Sequence, residues 1–365
     1  MAETGARPKV PRLQRRLLRV IGALTSPLLP DDYLELINPL WSTRELRGRI
    51  ESIDRETPDA ATVLIKPGYQ WEGHDPGQYL RIGLDIKGRR HWRAYSLTSD
   101  PERPDGCISI TVKNVDEGTV SPYLVRRGRP GSIVALGGVE GDFVLPEEEL
   151  PDKLLFISAG SGITPIMSMI RSLEHRNKLD DVVLLHSART REEVIFGDEL
   201  RELARIHDGF KLHEQHTADD GRLKPADLDR LCGDWRERET YISGPGEMLD
   251  AMDVHWERHG DCDRLHMERF QPKLGGGEEG EGGTITFLKS DCEAESDGSK
   301  PILVAGEEAG LELNFGCREG ICHTCVGTLR KGRIRDLRTG KVHGNEGETV
   351  RTCIHAPEGP IEIEL

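Results

Sequence analysis

The sequence predicts a multi-domain protein: an antiparallel β-barrel, then a doubly wound α/β domain, then a small C-terminal β domain. Three observations support this order. Short alternating apolar segments separated by turn residues fill residues 46–150, as in a small antiparallel barrel. Strand and helix patterns alternate over residues 151–270, as in a parallel sheet covered on both faces. A linker rich in glycine and glutamate at residues 271–283 then separates a new domain at residues 284–365.

The overall charge bounds the classes of function. The 365 residues carry a net charge of −15, so we expect no binding to nucleic acid, which requires clustered Lys and Arg. No apolar run approaches the roughly 20 residues of a membrane-spanning helix. Four of the cysteines are scattered and no secretory signal precedes them, so we expect a reducing, cytoplasmic location; they are Cys107, Cys232, Cys262 and Cys292.

The pattern of residues 1–45 predicts a basic, helical arm ahead of the barrel. Residues 7–20 combine six basic side chains with a short leucine stripe. This pattern fits a helix packed on the barrel, or a peripheral contact with a partner or with the anionic inner face of the membrane. A second short helix is expected to begin near Asp31 or Asp32 and to end before Pro39. We expect Trp41 to anchor the arm to the barrel.

Individual elements follow from the apolar periodicity. The barrel strands are expected at Leu46–Ile53, Ala61–Ile65, Tyr79–Leu84, Ala94–Leu97, Cys107–Val112 and Ser132–Leu136. The α/β strands are expected at Lys153–Ser158, Val182–His186, Phe210–His216 and Thr240–Ile242. The helices between them are expected after Pro165 and at Gly197–His207, Pro225–Cys232 and Pro245–His259. The C-terminal domain is expected to use strands Thr284–Leu288, Val326–Leu329 and Ile361–Leu365, a helix at Val304–Gly310 and a polar surface loop at residues 336–340.

Four cysteines near the C-terminus carry the most specific pattern in the chain. Cys317, Cys322 and Cys325 have the spacing C-x4-C-x2-C, and Cys353 follows much later. This is the ligand spacing of a plant-type [2Fe–2S] cluster, in which one tight loop supplies three thiolates. A structural zinc site is the alternative, but such sites favour two paired C-x2-C units and the chain has one.

With this motif, residues 284–365 resemble a plant-type ferredoxin domain, and the preceding part resembles the ferredoxin–NADP reductase family. The resemblance implies a β-grasp fold for the C-terminal domain. It also implies that the barrel binds a flavin and that the α/β domain binds a pyridine nucleotide. FAD rather than FMN is implied by the family alone.

The flavin residues are assigned from Arg93-Ala94-Tyr95-Ser96, which resembles the Arg-x-Tyr-Ser motif of the family. Arg93 can form charge-assisted bonds to a pyrophosphate, and Tyr95 can stack on the isoalloxazine ring. Ser96 would place a hydroxyl near flavin N5. The resemblance also implies flavin contacts at the end of the next strand, from Val112 and Lys113. It implies further contacts at the start of the helix that follows, where backbone N–H groups bind anions, from Gly118, Val120 and Ser121.

The nucleotide residues begin with Gly160-x-Gly162-x-Thr164-Pro165, between a buried strand and a helix. The glycines allow the backbone to approach a pyrophosphate at a helix N-terminus, and Pro165 suits the first helical position. A glycine-rich turn without a ligand is the alternative.

Two further motifs lie near the ends of the α/β strands. Ser243-Gly244-Pro245 stands where the family commonly has Cys-Gly-Pro, close to the nicotinamide. Glu268 and Phe270 resemble the Glu-x-Phe that ends this domain in the family, where they would contact the flavin. Ser96, Ser243 and Glu268 are the catalytic candidates.

The choice of nucleotide depends on Ser187, Arg189 and Arg191, which follow the second α/β strand. An arginine at this place favours the 2′-phosphate of NADPH, whereas an acidic residue favours NADH. Glu192 and Glu193 follow at once, so NADH also remains open.

The resemblance implies an electron-transfer enzyme that passes electrons from NAD(P)H to FAD, to the [2Fe–2S] cluster and then to a protein partner. The runs Asn38–Trp41 and Asn314–Cys325 look most like actinobacterial reductases of membrane acyl-CoA (stearoyl-CoA) desaturases. The alternatives are the reductase of a Rieske-type or other multicomponent oxygenase, or of a cytochrome P450. A hypothesis of another class is a redox sensor without turnover.

Overall fold

A computed structural model describes residues 30–115, 118–146, 149–270, 280–311, 313–315, 320 and 324–365. The basic segment at residues 7–20, most of the linker, Cys317 and Cys322 lie outside the described residues. The described chain forms three β-sheet domains in the order that the sequence predicts, and the predicted fold class is confirmed. None of the helices in the described ranges is long and apolar enough to span a bilayer.

The first domain is an antiparallel sheet of six strands in the order β4-β3-β6-β1-β2-β5. Its strands are β1 (Arg47–Thr57), β2 (Ala60–Pro67), β3 (Tyr79–Ile86), β4 (Arg89–Ser96), β5 (Ile108–Lys113) and β6 (Ile133–Glu140). The two outer strands approach one another where Leu97 forms a bridge with Ile110 and the Thr98 N–H donates to the Ser109 carbonyl at 2.8 Å. The sheet therefore curls into a barrel, and helix α2 (Val120–Arg127) packs Val120 and Leu124 against its core.

The described part of the N-terminal arm consists of α1 (Pro30–Ile37) and a 3-10 turn (Pro39–Trp41). The Asn38 side chain accepts a hydrogen bond from the Leu40 N–H at 3.1 Å and so fixes the start of the turn. The turn buries Leu40, whereas Trp41 is 43 % exposed. The prediction that Trp41 anchors the arm was wrong, because this single turn places the preceding residue on the barrel side.

The second domain is a parallel sheet of five strands in the order β11-β10-β7-β8-β9. Its strands are β7 (Leu154–Ala159), β8 (Val182–Ala188), β9 (Phe210–His216), β10 (Glu239–Ser243) and β11 (Leu265–Glu268). Its helices are α3 (Ile163–His175), α4 (Gly197–Ile206), α5 (Leu228–Leu231) and α6 (Gly246–His259), with 3-10 turns at Gly160–Gly162, Arg191–Glu193, Pro225–Asp227, Trp235–Glu237 and Cys262–Arg264. Separate apolar clusters cover the two faces of the sheet, as expected for a doubly wound domain.

Two expectations for helices in this domain need correction. The segment predicted as one helix at Pro225–Cys232 is a 3-10 turn followed by the four-residue α5. Pro165 is the third residue of α3 and not the first, because the helix begins directly after the 3-10 turn Gly160–Gly162. Proline is still accommodated there, since the first N–H groups of a helix have no acceptor within it.

Polar and apolar contacts join the first two domains into one body. The Ser168 hydroxyl of α3 donates to the Ser99 carbonyl at 2.7 Å. The Arg171 guanidinium donates to the Thr98 carbonyl at 2.6 Å. Barrel residues such as Phe143 also belong to the core cluster of the parallel sheet. A site between these domains therefore has walls that are held in fixed positions.

The third domain contains a five-stranded mixed sheet, β13-β12-β19-β14-β17, and a three-stranded sheet, β16-β15-β18. The strands are β12 (Gly283–Phe287), β13 (Cys292–Ser296), β14 (Val326–Lys331), β15 (Ile334–Asp336), β16 (Val342–His343), β17 (Thr349–Arg351), β18 (His355–Pro357) and β19 (Ile361–Glu364). Helix α7 (Ile302–Glu308) packs Ile302 and Ala305 into the core. The expected polar loop at residues 336–340 starts inside the fold, because Asp336 ends β15 and Leu337 is 3 % exposed.

Candidate functional site

A cavity of about 430 Å³ lies where the barrel meets the parallel sheet. The strand that carries the Arg-x-Tyr-Ser motif forms one wall, and the ends of the α/β elements form the other. Seven of the residues predicted from the sequence border it: Ala94, Tyr95, Ser96, Lys113, Thr164, Glu268 and Phe270. Residues from both domains thus converge on one space that has aromatic, hydroxyl and charged groups in its walls.

Alternation along β5 decides which of its residues reach the cavity. Thr111 and Lys113 border it, whereas the Val112 side chain points the other way and is fully buried in the barrel core. Of the predicted pair, the side chain of Lys113 therefore borders the cavity and that of Val112 does not. On β4, burial raises the pKa of Tyr95, so its hydroxyl stays protonated.

The loop that leads into α2 borders the cavity through Val115. The Ser121 hydroxyl accepts a hydrogen bond from the Val115 N–H at 3.2 Å, and the Gly118 N–H donates to the Val115 carbonyl at 2.8 Å. A Cβ at Gly118 would lie 2.9 Å from that carbonyl oxygen. Gly118 and Ser121 therefore hold Val115 close to the start of α2, where Val120 is buried.

A second cavity of about 790 Å³ opens at the carboxyl ends of β7, β8 and β10. Gly160, Ser187, Arg189 and Pro245 border it, as the nucleotide motifs predict. Lys113 borders both cavities, so the two spaces adjoin. Ligands of doubly wound sheets bind at this edge. We refer to the two spaces as the flavin cavity and the nucleotide cleft.

The glycines of the nucleotide motif have different surroundings. Gly160 has a φ of +54° and an added Cβ would meet nothing within 4 Å, so it faces the open cleft. An added Cβ at Gly162 would lie 2.1 Å from the Ser243 carbonyl oxygen, and one at Gly244 would lie 2.6 Å from Met248 Cε. The latter two glycines let neighbouring turns pack together, and the Thr164 hydroxyl steadies the first turn by donating to the Ser161 carbonyl at 2.9 Å.

The catalytic candidates Ser243 and Glu268 are directly paired in the parallel register of β10 and β11. Ser243 is fully buried, and its hydroxyl has no hydrogen-bond partner within the described part of the chain. Burial, helped by the nearby Asp142 carboxylate, raises the pKa of Glu268 to about 7. The third candidate, Ser96, is 7 % exposed and borders the flavin cavity.

The predicted nucleotide-selecting arginines separate in the structure. Arg189 borders the nucleotide cleft and pairs with Glu193 through Nε and Oε1 at 3.0 Å. Arg191 lies in the following 3-10 turn and borders a different cavity, beside α4. Sequence reasoning missed Arg222 and Lys224, which border the cleft from the loop after β9. Their position after a parallel strand, at the ligand-binding edge, is the signal that could have identified them.

Two of the four predicted cluster ligands lie within the described residues. Cys325 and Cys353 are buried, 1 % and 2 % exposed, and share a small apolar cluster with Leu303 and Ile354. The Thr352 N–H donates to the Cys325 carbonyl at 2.8 Å and ties the two segments together.

Comparisons with known proteins agree with this arrangement. Residues 58–145 match the oxidoreductase FAD-binding domain, residues 156–253 the oxidoreductase NAD-binding domain, and residues 285–358 the 2Fe-2S iron–sulfur cluster binding domain. An NADPH oxidoreductase of Mycobacterium tuberculosis is 47 % identical over 352 residues, which cover 96 % of this chain and 92 % of that protein. The chain belongs to the ferredoxin–NADP reductase-like flavoproteins with a C-terminal [2Fe–2S] domain.

Two further proteins extend the comparison. The ferredoxin reductase component of a 3-ketosteroid-9-alpha-monooxygenase from Mycolicibacterium smegmatis is 29 % identical over 342 residues, covering 85 % of this chain and 96 % of that protein. The solved structure of phthalate dioxygenase reductase has a TM-score of 0.58 at 19 % identity, covering 87 % of this chain and 97 % of that one. The latter likeness shows that the three-domain fold is shared.

The chain is accordingly an NAD(P)H-dependent oxidoreductase with FAD and a [2Fe–2S] cluster as cofactors. Its residues fit these groups. The flavin cavity offers aromatic side chains, hydroxyls and a lysine, the cleft has an open glycine turn at a helix N-terminus, and two buried thiols lie together in the third domain.

Proposed function

We propose that the chain oxidises NADPH and delivers the electrons, through its FAD and its [2Fe–2S] cluster, to a separate oxygen-activating protein. The observation that carries this proposal is the junction of the two cavities at Lys113, because a nucleotide and a flavin in adjoining spaces are placed for direct transfer. When bound, FAD accepts a hydride and releases its electrons singly, which matches a one-electron iron–sulfur acceptor.

Each residue then has a defined task. Arg93 and the start of α2 bind the flavin pyrophosphate, Tyr95 and Phe270 pack on the flavin ring, and Ser96 donates a hydrogen bond to it. The turn at Gly160, with the N-terminus of α3, binds the nucleotide pyrophosphate. We assign Ser243 and Glu268, which are paired at the ends of adjacent strands, to the place where the nicotinamide would meet the flavin, because Glu268 borders the flavin cavity.

The preference for NADPH rests on the cations of the nucleotide cleft. Arg189, Arg222 and Lys224 all border it, and a 2′-phosphate would be bound by such groups. Glu193 and Glu247 pair with Arg189 and Arg222, at 3.0 Å and 2.5 Å, and partly neutralise them. We therefore propose that NADPH binds more tightly but that NADH is also oxidised.

The partner class follows from the names of relatives. Besides the 3-ketosteroid-9-alpha-monooxygenase component, a glycine betaine monooxygenase reductase subunit of Chromohalobacter salexigens is 30 % identical over 326 residues. These names support a partner that is an oxygenase component. That this component is of Rieske type rests on the sequence resemblance alone. The finer proposal of a membrane acyl-CoA (stearoyl-CoA) desaturase rests on the sequence resemblance and on the basic arm, which would bring the chain to the cytoplasmic face of the membrane.

An anaerobic titration tests the electron path. NADPH, and separately NADH, is added to the purified protein while visible absorption and the EPR signal of the cluster are recorded. The proposal requires bleaching of the flavin and cluster bands and a rhombic one-electron signal, with NADPH acting at the lower concentration. A protein that holds both cofactors but bleaches with neither nucleotide would instead be a sensor without turnover.

A further inference from the structure

Among the described residues, a side-chain contact joins the flavin domain to the iron–sulfur domain. The guanidinium carbon of Arg93 lies 5.5 Å from the centroid of the Phe315 ring. Arg93 belongs to β4 and directly precedes Ala94, Tyr95 and Ser96, which border the flavin cavity. Its Nη1 also donates to the Trp92 carbonyl at 2.7 Å, which limits how the guanidinium can turn.

Phe315 also contacts the core around the cysteines. Its ring packs against the buried cluster that contains Cys325 and Cys353. In sequence it stands two residues before Cys317, the first cysteine of the ligand motif. A single aromatic side chain therefore contacts both the strand that forms the flavin wall and the core around two cluster ligands.

We propose that Phe315 is a positioning residue, which docks the iron–sulfur domain on Arg93 and thereby aligns the cluster with the flavin for electron transfer. The proposal rests on the electron path given under Proposed function. One hydride gives the flavin two electrons, which pass to the cluster one at a time, with the partner protein reoxidising the cluster between the two transfers. The hydride-derived proton leaves to water once both electrons have gone, so no other reductant is needed.

The chemistry of arginine allows both of its contacts at once. The five N–H donors of a guanidinium lie in its plane, whereas its faces stack on aromatic rings. Arg93 can thus bind a pyrophosphate through its edge while it presents a face to Phe315. Binding of the flavin would order Arg93 and so favour docking, which makes the arginine a link between cofactor loading and the position of the cluster.

The strength of the contact suits reversible docking. One cation–π contact changes an equilibrium by a factor of roughly 2 to 30, depending on how far it is removed from water. Residues 271–283 connect the domains through a sequence rich in glycine and glutamate, which is suited to a tethered domain that docks and leaves. A cluster that must meet the flavin and then an external protein needs a contact of this weak kind.

The test variant is Phe315→Leu, which removes the ring and keeps an apolar side chain against the cysteines. Phe315→Tyr is the first control, because it keeps the ring. Tyr69→Leu is the second control, because it removes an aromatic residue of the flavin domain that is 50 % exposed. In the oxidised holoprotein, hydrogen–deuterium exchange of β4 reports docking, because β4 is an outer strand of its sheet. Anaerobic stopped-flow absorption separates flavin reduction by NADPH from the subsequent reduction of the cluster.

We expect Phe315→Leu to slow cluster reduction about 3- to 10-fold and to speed exchange in β4, with flavin reduction and the cluster EPR signal unchanged. Phe315→Tyr and Tyr69→Leu should match the wild type. The proposal would be overturned if Phe315→Leu showed the same hydrogen exchange in β4 and the same rate of cluster reduction as the wild type. It would also be overturned if a loss of cluster content accounted for the slower rate. Failure of NADPH to reduce the wild-type flavin would overturn the electron path itself, and that result is distinguishable from either.

Discussion

Gly162 lies so close to Ser243 that a Cβ on the glycine would be 2.1 Å from the serine carbonyl oxygen. The contact joins the turn after β7 to the end of β10, at the edge of the sheet where the nucleotide cleft opens. The opposing atom is backbone, so it cannot move aside as a flexible side chain could. The shape of the cleft floor therefore depends on glycine, which has no side chain, at this position.

Gly162→Ala should accordingly force these two turns apart. We expect it to raise the KM for NADPH at least tenfold and to lower the free energy of unfolding by about 2 kcal/mol, the range for overpacking. Gly88→Ala, in the turn between β3 and β4 and outside the cleft, is the matched control, because its Cβ meets nothing and its cost is the left-handed backbone, about 1 kcal/mol. Steady-state kinetics and urea unfolding would measure both, and equal effects in the two variants would contradict the packing argument.

The Ser243 hydroxyl should matter for chemistry and not for stability. A buried hydroxyl without a partner costs about 1 to 3 kcal/mol, so Ser243→Ala should leave the protein equally stable or about 1 kcal/mol more stable. If the hydroxyl contacts the nicotinamide, the same variant should slow flavin reduction several-fold in stopped-flow measurements. Ser243→Cys, which restores the residue common in the family, serves as the comparison. A stability loss in Ser243→Ala with unchanged flavin reduction would reverse this assignment.

Much of the fold could be predicted because its patterns are local. Alternation gave six barrel strands near their observed positions, and the continuous apolar run at β7 reads as a buried parallel strand. The Arg-x-Tyr-Ser motif and the Gly160 turn could be placed at the cavities because each occupies the end of such an element. These features need no knowledge of distant parts of the chain.

The remaining site features depend on tertiary placement. Arg191 was grouped with Arg189 because the two are neighbours in sequence, but the 3-10 turn at Arg191–Glu193 sends it to another cavity. Arg222 reaches the cleft from a loop that carries no recognisable motif. The contact between Arg93 and Phe315 joins residues more than two hundred positions apart, and no periodic pattern encodes such a pair.

Glu268 should give the protein a specific dependence on pH. Its pKa is about 7 in the folded protein, against an ordinary value of 4.5, so the native state binds more protons than the unfolded state between these values. The stability that it contributes is therefore complete below about pH 4.5 and is lost as the pH rises to about 7. We expect a loss on the order of 2 kcal/mol.

Urea unfolding of the flavin-free protein at pH 5.5 and pH 8 would measure this effect. The fluorescence of Trp235 and Trp256, both buried in the nucleotide domain, reports on the relevant unit. Glu268→Gln should abolish about 2 kcal/mol of the difference in the free energy of unfolding between the two pH values. Glu257→Gln, at an exposed site on α6, should leave that difference unchanged. If the free energy of unfolding changed equally between pH 5.5 and pH 8 in the wild type and in Glu268→Gln, Glu268 would be charged over this whole pH range.

Arg189 and Glu193 should together set the preference for NADPH. The Arg189 side chain is 76 % exposed, so its pair with Glu193 is worth no more than about 1 kcal/mol and a phosphate can compete for the guanidinium. Arg189→Ala should raise the KM for NADPH about tenfold and change that for NADH little, since only NADPH carries the 2′-phosphate.

Glu193→Gln tests the same pair from the other side. Removing the carboxylate frees Arg189 for the phosphate, so the KM for NADPH should fall about 2- to 5-fold while that for NADH stays constant. The double variant decides whether Glu193 acts on the KM for NADPH through Arg189. In the Arg189→Ala background, Glu193→Gln should leave this KM nearly unchanged, apart from a small change in the electrostatic potential of the cleft. An equal gain in both backgrounds would mean that Glu193 repels the phosphate directly and that Arg222 and Lys224 provide the recognition.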